Sequence, residues 1–92
     1  MRVDIYSKPN CSLCDKAAAV VEAVRARIPF ELRIISILED AEAFTRWRYD
    51  IPVVVIDGVP VFTHRVDPAE FEARLHEVKG GTAVAKSAAQ DG

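Results

Sequence analysis

Positive charge is in short supply: 12 lysines and arginines face 14 aspartates and glutamates, for a formal charge of −2. The basic residues are also scattered along the chain. That leaves no electrostatic footprint for nucleic acid or an anionic membrane surface, and neither is expected as a partner. Long apolar runs are missing too. The longest in the strand-like part, Val53 to Ile56, falls far short of the ~20 residues a membrane-spanning helix needs. The N-terminus, Met1-Arg2-Val3-Asp4-Ile5-Tyr6, is interrupted by charges and has no apolar core of a secretory signal. A cytoplasmic protein is therefore the expectation. Cysteine is scarce, with only Cys11 and Cys14, and in a compartment that keeps thiols reduced such a pair points to catalysis or metal binding rather than to a structural bridge. There are no internal repeats, and 92 residues suffice for one hydrophobic core and not for two.

What is present falls into alternating patterns. Arg2 to Tyr6 alternates, with Val3 and Ile5 on one face, and predicts a short strand. Ser7-Lys8-Pro9-Asn10 is a turn cluster in which Pro9 prevents the strand from continuing. From Cys11 the period changes: Leu13, Ala17, Val20, Val21, Val24 and Ile28 share a helical face, and Pro29 ends the helix. Phe30 to Ile37 is rich in large and β-branched residues and predicts a second strand. Glu39 to Tyr49 returns to helix, with Ala41, Phe44 and Trp47 or Arg48 at turn spacing. Val53–Ile56 and Val59–Phe62 are two strands joined by Asp57-Gly58, a hairpin link whose type I′ turn requires positive φ at both positions. Asp67, Pro68 and Glu70 form a capping-box start to a last helix carrying Phe71, Leu75 and Val78. Gly80-Gly81 stops that helix, so residues 1–79 are expected to form the domain and 80–92 a disordered tail.

The order β-α-β-α-β-β-α constrains the architecture. Its first βαβ unit requires parallel strands with a right-handed crossover, and the hairpin adds an antiparallel pair. The expected fold is α/β: a mixed four-stranded sheet flanked by helices on both faces, the minimal thioredoxin-like arrangement.

Chemistry concentrates at Cys11-Ser12-Leu13-Cys14, where a strand and a proline-containing turn hand over to a helix. Cys11 sits at the helix N-terminus, where unpaired N–H groups and the dipole favour negative charge. Lys8 on the approach turn adds a cation. Such surroundings lower a thiol pKa from ~8.5 into the range of ~3.5–7.5 and supply thiolate at neutral pH. Cys14 lies one turn on, within reach of a disulfide, and is expected to be the more buried. Cys11 is then the attacking thiolate and Cys14 the resolving thiol of a disulfide exchange. Asp15 in the first turn opposes thiolate formation. A zinc site would need a second ligand pair at close spacing, whereas His64 and His76 are distant from the cysteines and from each other, so no metal is expected. His76 falls among charges on the last helix and reads as a solvated residue. Ile51-Pro52 precedes the third strand, close in space to the start of the first helix, where its backbone is a candidate substrate contact. Trp47, Arg48 and Tyr49 either line a substrate groove or, for Trp47, cover the core.

These residues carry a resemblance. Tyr6-Ser7-Lys8-Pro9-Asn10-Cys11-Ser12-Leu13-Cys14, then Ile51-Pro52-Val53-Val54, then the Asp57-Gly58 hairpin, resemble a small glutaredoxin-like protein over residues 1 to 79. The resemblance implies the thioredoxin fold, a cis Pro52, a reactive Cys11 and a Lys8 that favours the thiolate and meets a glutathione carboxylate. No tightly bound cofactor is implied; glutathione enters as a co-substrate. The chain departs from glutaredoxins in having Ser12-Leu13 between its cysteines. It also carries Thr63-His64-Arg65-Val66-Asp67 where they carry a Gly-Gly pair and a Ser/Thr-Asp that hold glutathione. Side chains at His64 and Arg65 stand where backbone must approach that ligand closely. Either this site is lost, or Arg65 engages a carboxylate in its own way.

The expected function is reduction of protein or glutathione mixed disulfides, with glutathione or a reductase as electron source. The alternatives are a dedicated electron donor recharged by thioredoxin reductase, which the missing Gly-Gly pair favours, and an iron–sulfur cluster carrier. A monomer is expected, since a catalytic dithiol must expose Cys11 and nothing marks a second large apolar face.

Overall fold

The computed structural model describes residues 1–80, with side-chain surroundings through Val78. In chain order the elements are β1 (Arg2–Ser7), α1 (Ser12–Arg25), β2 (Glu31–Ser36), a 3-10 turn (Ile37–Glu39), α2 (Ala41–Trp47), β3 (Val53–Ile56), β4 (Val59–Thr63) and α3 (Pro68–Gly80). The last helix runs one residue into the predicted tail, and the remainder of that tail lies outside the described residues.

The sheet order is β2-β1-β3-β4. β1 pairs in parallel with β2, from Arg2 opposite Glu31 to Ser7 opposite Ser36. It pairs antiparallel with β3, from Val3 opposite Ile56 to Tyr6 opposite Val53. β4 returns antiparallel to β3 with a bulge at Val54/Val55. This is the mixed four-stranded sheet that the element order demanded.

Alternation along β1 divides the molecule. Val3 and Ile5, with Val54 and Ile56, face Val21 and Val24 of α1 and Phe71 and Leu75 of α3 in one buried cluster that also takes in Phe30. Full burial of side chains the size of Phe71 or Leu75 contributes about 1.5–3 kcal/mol each. Phe71 meets Phe30 and Phe62 edge-on, at ring-centroid distances of 5.9 and 6.3 Å. Tyr6 lies on the opposite face, where Ile37, Ala43 and Trp47 cover it. Asp4, also on that face, is buried. Arg33, directly across the parallel ladder, donates from Nε to the Asp4 carboxylate at 2.9 Å, and Arg2 Nε stands 3.3 Å away. The hydrogen bond and charge of Asp4 raise the Arg33 pKa above its ordinary value.

The hairpin turn has the expected backbone, with φ of 48° at Asp57 and 87° at Gly58. Asp57 also binds the start of β1: its N–H donates to the Arg2 carbonyl at 2.9 Å and its Oδ1 accepts from the Arg2 N–H at 2.8 Å. A Cβ at Gly58 would meet nothing within 4 Å, so Gly58→Ala tests backbone conformation alone. The expected cost is about 1–2 kcal/mol, the penalty for a left-handed non-glycine residue, read as a lower urea midpoint at unchanged slope.

Several element bounds differ from the sequence expectation. α1 ends at Arg25 rather than Ile28, because the N–H groups of Arg27 and Ile28 both turn back to the Val24 carbonyl and close the helix before Pro29. β2 excludes Phe30, which turns into the core, and Ile37, which opens the 3-10 turn. α2 starts at Ala41 because Asp40 caps it, its Oδ1 accepting from the Ala43 N–H at 3.1 Å. The inward stripe of α2 is Ala43 and Trp47, not Ala41 and Phe44. Phe44 faces outward with the Arg48 guanidinium 5.5 Å from its ring centre. At the start of α3, Asp67 Oδ2 accepts from the Glu70 N–H at 3.0 Å, but the reciprocal half of the capping box is not formed. Val78 is 41% exposed, since the core on that face ends at Leu75.

Candidate functional site

β1 and the turn after it deliver the chain to the start of α1. Asn10 takes φ of 60°, a left-handed conformation that asparagine tolerates better than most side chains. Cys11 follows as the N-cap of α1, with extended backbone at φ −116° and ψ 106°. An N-cap side chain normally offers oxygen to a free N–H of the first turn. Here sulfur takes that seat: Cys11 Sγ accepts from the Cys14 N–H at 3.2 Å. The same sulfur lies at the positive end of the helix dipole, where a thiolate is stabilised.

Cys11 is half-buried and Cys14 only 4% exposed, the asymmetry expected from the sequence. The two are joined in a disulfide with Cα atoms 5.2 Å apart, a separation that needs no backbone movement to bridge. Beneath them lies a second cluster, in which Cys14 is buried with Ile37, Ala43 and Ile51 and which Tyr6, Cys11 and Trp47 flank. The end of β1, the 3-10 turn, the short helix α2 and the segment entering β3 therefore meet the first turn of α1 at this cluster. Trp47 packs against Tyr6 with ring centroids 4.6 Å apart, so it covers this cluster, and the Arg46 guanidinium lies 4.9 Å from its ring centre. Arg48 and Tyr49 are exposed, with the Arg48 guanidinium 5.0 Å from the Tyr49 ring centre.

The Ile51–Pro52 peptide bond is cis, as the resemblance implied. Pro52 is fully buried and Ile51 nearly so, and Ile51 shares the cluster of Cys14. The Pro52 carbonyl accepts from the His64 N–H at 2.9 Å, which ties the segment to the end of β4. His64 and Arg65 then face α1 across a groove of about 150 Å³, with Leu13, Ala17 and Val20 as apolar lining and Lys16 and Arg65 as cations. Arg65 is thus brought to the cysteine-bearing helix. Lys8 is exposed on the turn before Cys11. His76 is exposed on α3, 3.8 Å from Glu72. Among the described residues, no group of three or more His, Cys, Asp or Glu side chains could hold a metal ion, and no helix is long and apolar enough to cross a membrane.

Sequence reasoning missed the part His64 plays. It treated the residue as loop or ligand-blocking, whereas its ring Nε2 donates to the Tyr49 carbonyl at 3.0 Å. Nothing in the spacing announces a bond between residues 15 apart in sequence. The one available signal was Thr63-His64-Arg65 directly after a strand, where a turn must form.

Residues 2–76 match the family model described as Glutaredoxin-like domain (DUF836). The chain is 30% identical to "Glutaredoxin-like protein YDR286C homolog" of Dictyostelium discoideum, over 73% of this chain and 68% of that protein. Its fold is similar to that of protein Ne2328 from Nitrosomonas europaea, with a TM-score of 0.70 at 19% identity, over 79% of this chain and 88% of that one. It is also similar to thioredoxin 1 from Thermosipho africanus, with a TM-score of 0.63 at 13% identity, over 88% of this chain and all of that one. The fold is thioredoxin-like.

Proposed function

We propose that this chain, which belongs to the glutaredoxin-like domain family, is a thiol–disulfide oxidoreductase that reduces protein or glutathione mixed disulfides through Cys11 and Cys14. The observation that carries the reading is Cys11, only partly buried, with its sulfur at the N-cap of α1 and in bonding reach of a buried Cys14.

In the reduced protein the Cys11 thiolate attacks one sulfur of the substrate disulfide. That S–S bond breaks, the departing sulfur leaves as thiolate and takes a proton, and Cys11 is held in a mixed disulfide. Cys14 then gives up its proton and attacks Cys11 Sγ, closing the internal disulfide and releasing the second substrate thiol. Two electrons pass to the substrate, and glutathione or a reductase restores them. In this reading Lys8 favours the thiolate, while Ile51, Pro52 and Arg65 meet the substrate.

One feature favours a narrower reading, a dedicated donor recharged by thioredoxin reductase. His64 and Arg65 occupy the stretch where a glycine pair would let glutathione approach the backbone, and the His64 ring is engaged within the protein.

The test is insulin-disulfide reduction, run in parallel with glutathione plus its reductase and with thioredoxin reductase. Turnover with glutathione supports the glutaredoxin-type cycle. Turnover with thioredoxin reductase alone supports the dedicated donor. Failure with both overturns the oxidoreductase reading.

A further inference from the structure

His64 adopts φ of 69°, a region in which few side chains other than glycine are comfortable. The Arg65 N–H donates to the Thr63 carbonyl at 2.7 Å across it, a three-residue γ-turn in its rare positive-φ form. Backbone held in such a conformation must be over-determined by its surroundings, and such residues concentrate at functional sites. Two contacts hold this one. The His64 N–H donates to the Pro52 carbonyl at 2.9 Å, and its ring Nε2 donates to the Tyr49 carbonyl at 3.0 Å. Since a carbonyl can only accept, Nε2 carries the proton. One residue thus grips both ends of the segment 49–52, whose Ile51 packs in the cluster of Cys14, against which Cys11 also lies. Within that segment the Asp50 N–H donates to the Trp47 carbonyl at 2.8 Å, so the loop is also tied to α2.

We propose that His64 is a positioning residue: its ring and backbone clamp segment 49–52 in the conformation that receives the extended backbone of a protein disulfide substrate beside Cys11. The proposal rests on the oxidoreductase reading above. It also accounts for a side chain in a stretch where glycine would be easier. Glycine would relieve the turn but leave the Tyr49 carbonyl without its donor.

The mechanism sets the expected kinetics. An unclamped segment must be ordered when substrate docks, and that cost falls on binding. The chemistry at the Cys11 sulfur is untouched. His64→Gly removes the donor and relaxes the turn. His64→Asn tolerates positive φ, but its amide nitrogen reaches only as far as Nδ1 does. His64→Gln carries its amide nitrogen to the position of Nε2. For insulin as substrate, His64→Gly and His64→Asn are expected to raise KM about three- to tenfold with kcat unchanged, the effect of one lost hydrogen bond. His64→Gln restores the wild-type KM. Alkylation of reduced Cys11 by iodoacetamide, a probe too small to need the segment, proceeds at the wild-type rate in all three. A wild-type KM in His64→Gly, or an alkylation rate that falls as KM rises, overturns the proposal.

Amide hydrogen exchange at Asp50 checks the clamp without reference to turnover. It is expected to quicken about three- to tenfold in the Gly and Asn variants and to stay put in the Gln variant. Unchanged exchange in the Gly variant overturns the clamp. An inactive wild-type chain with quickened exchange in that variant confines the failure to the oxidoreductase reading.

Discussion

Cys11→Ser protein is expected to reduce no insulin disulfide above the uncatalysed rate, a loss on the order of 10³-fold or more if the proposed cycle holds. A serine hydroxyl has no accessible anion near neutral pH and forms no stable bond to sulfur, so the exchange loses its nucleophile. The site makes this test unusually clean for the fold. Cys11 is the N-cap of α1, and its sulfur accepts a helix N–H from Cys14. Serine is among the best residues at that position. Against the reduced wild-type protein, the variant is therefore expected to keep or raise its thermal midpoint while losing turnover, which separates chemistry from stability in one sample. Turnover at the wild-type rate would sink the assignment of Cys11 as nucleophile.

Cys14→Ser is expected to stop the cycle at its midpoint. With no resolving thiol, the mixed disulfide on Cys11 persists, and insulin turnover falls by about 100-fold or more. After incubation with oxidised glutathione, mass spectrometry should show one glutathione adduct, on Cys11, in near-stoichiometric yield. Burial complicates this variant. Cys14 is 4% exposed beside Ile37, Ala43 and Ile51, and an unpartnered hydroxyl there costs about 1–3 kcal/mol. Cys14→Ala, which buries no new polar atom, should trap the same adduct with less loss of stability. If the adduct instead accumulates on Cys14 of the Cys11→Ser protein, and not on Cys11 of the Cys14 variants, the two roles are reversed.

Much of this arrangement was legible in the residues because local chemistry and global fold agree. Asp57-Gly58 announces its turn, since few other pairs accept positive φ twice, and both positions have it. Val3 and Ile5 announce a strand with one apolar face, and both are buried. The helix that carries Cys11 and Cys14 at its start announces itself in the spacing of Ala17, Val21 and Val24, all of them buried. The cis bond at Pro52 came from the family resemblance rather than from the residues themselves. The misread features share another origin. On α2, Ala43 and Phe44 are adjacent, and hydrophobicity favours the phenylalanine as the buried one. The choice of Ala43 is made by Tyr6, far off in sequence, together with Ile37 of the turn before α2, which leave room for a small residue and for Trp47. The burial of Asp4 depends on Arg33 in the next strand of the sheet. The bonds of His64 depend on where residues 49–52 pass. Each is a tertiary choice that a one-dimensional pattern does not contain.

The division of the interior into two clusters has a consequence for durability. In the proposed cycle, exchanging one S–S bond for two thiols changes the volume and polarity at Cys14, and each turnover would repeat that change. The atoms that must accommodate it belong to the smaller cluster of Cys14, Ile37, Ala43 and Ile51. The larger one, from Val3 and Ile5 through Phe71 and Leu75, contains neither cysteine. In that cycle the local change is met by residues at the cysteine-bearing end, while the larger apolar cluster holds no sulfur to be oxidised or reduced.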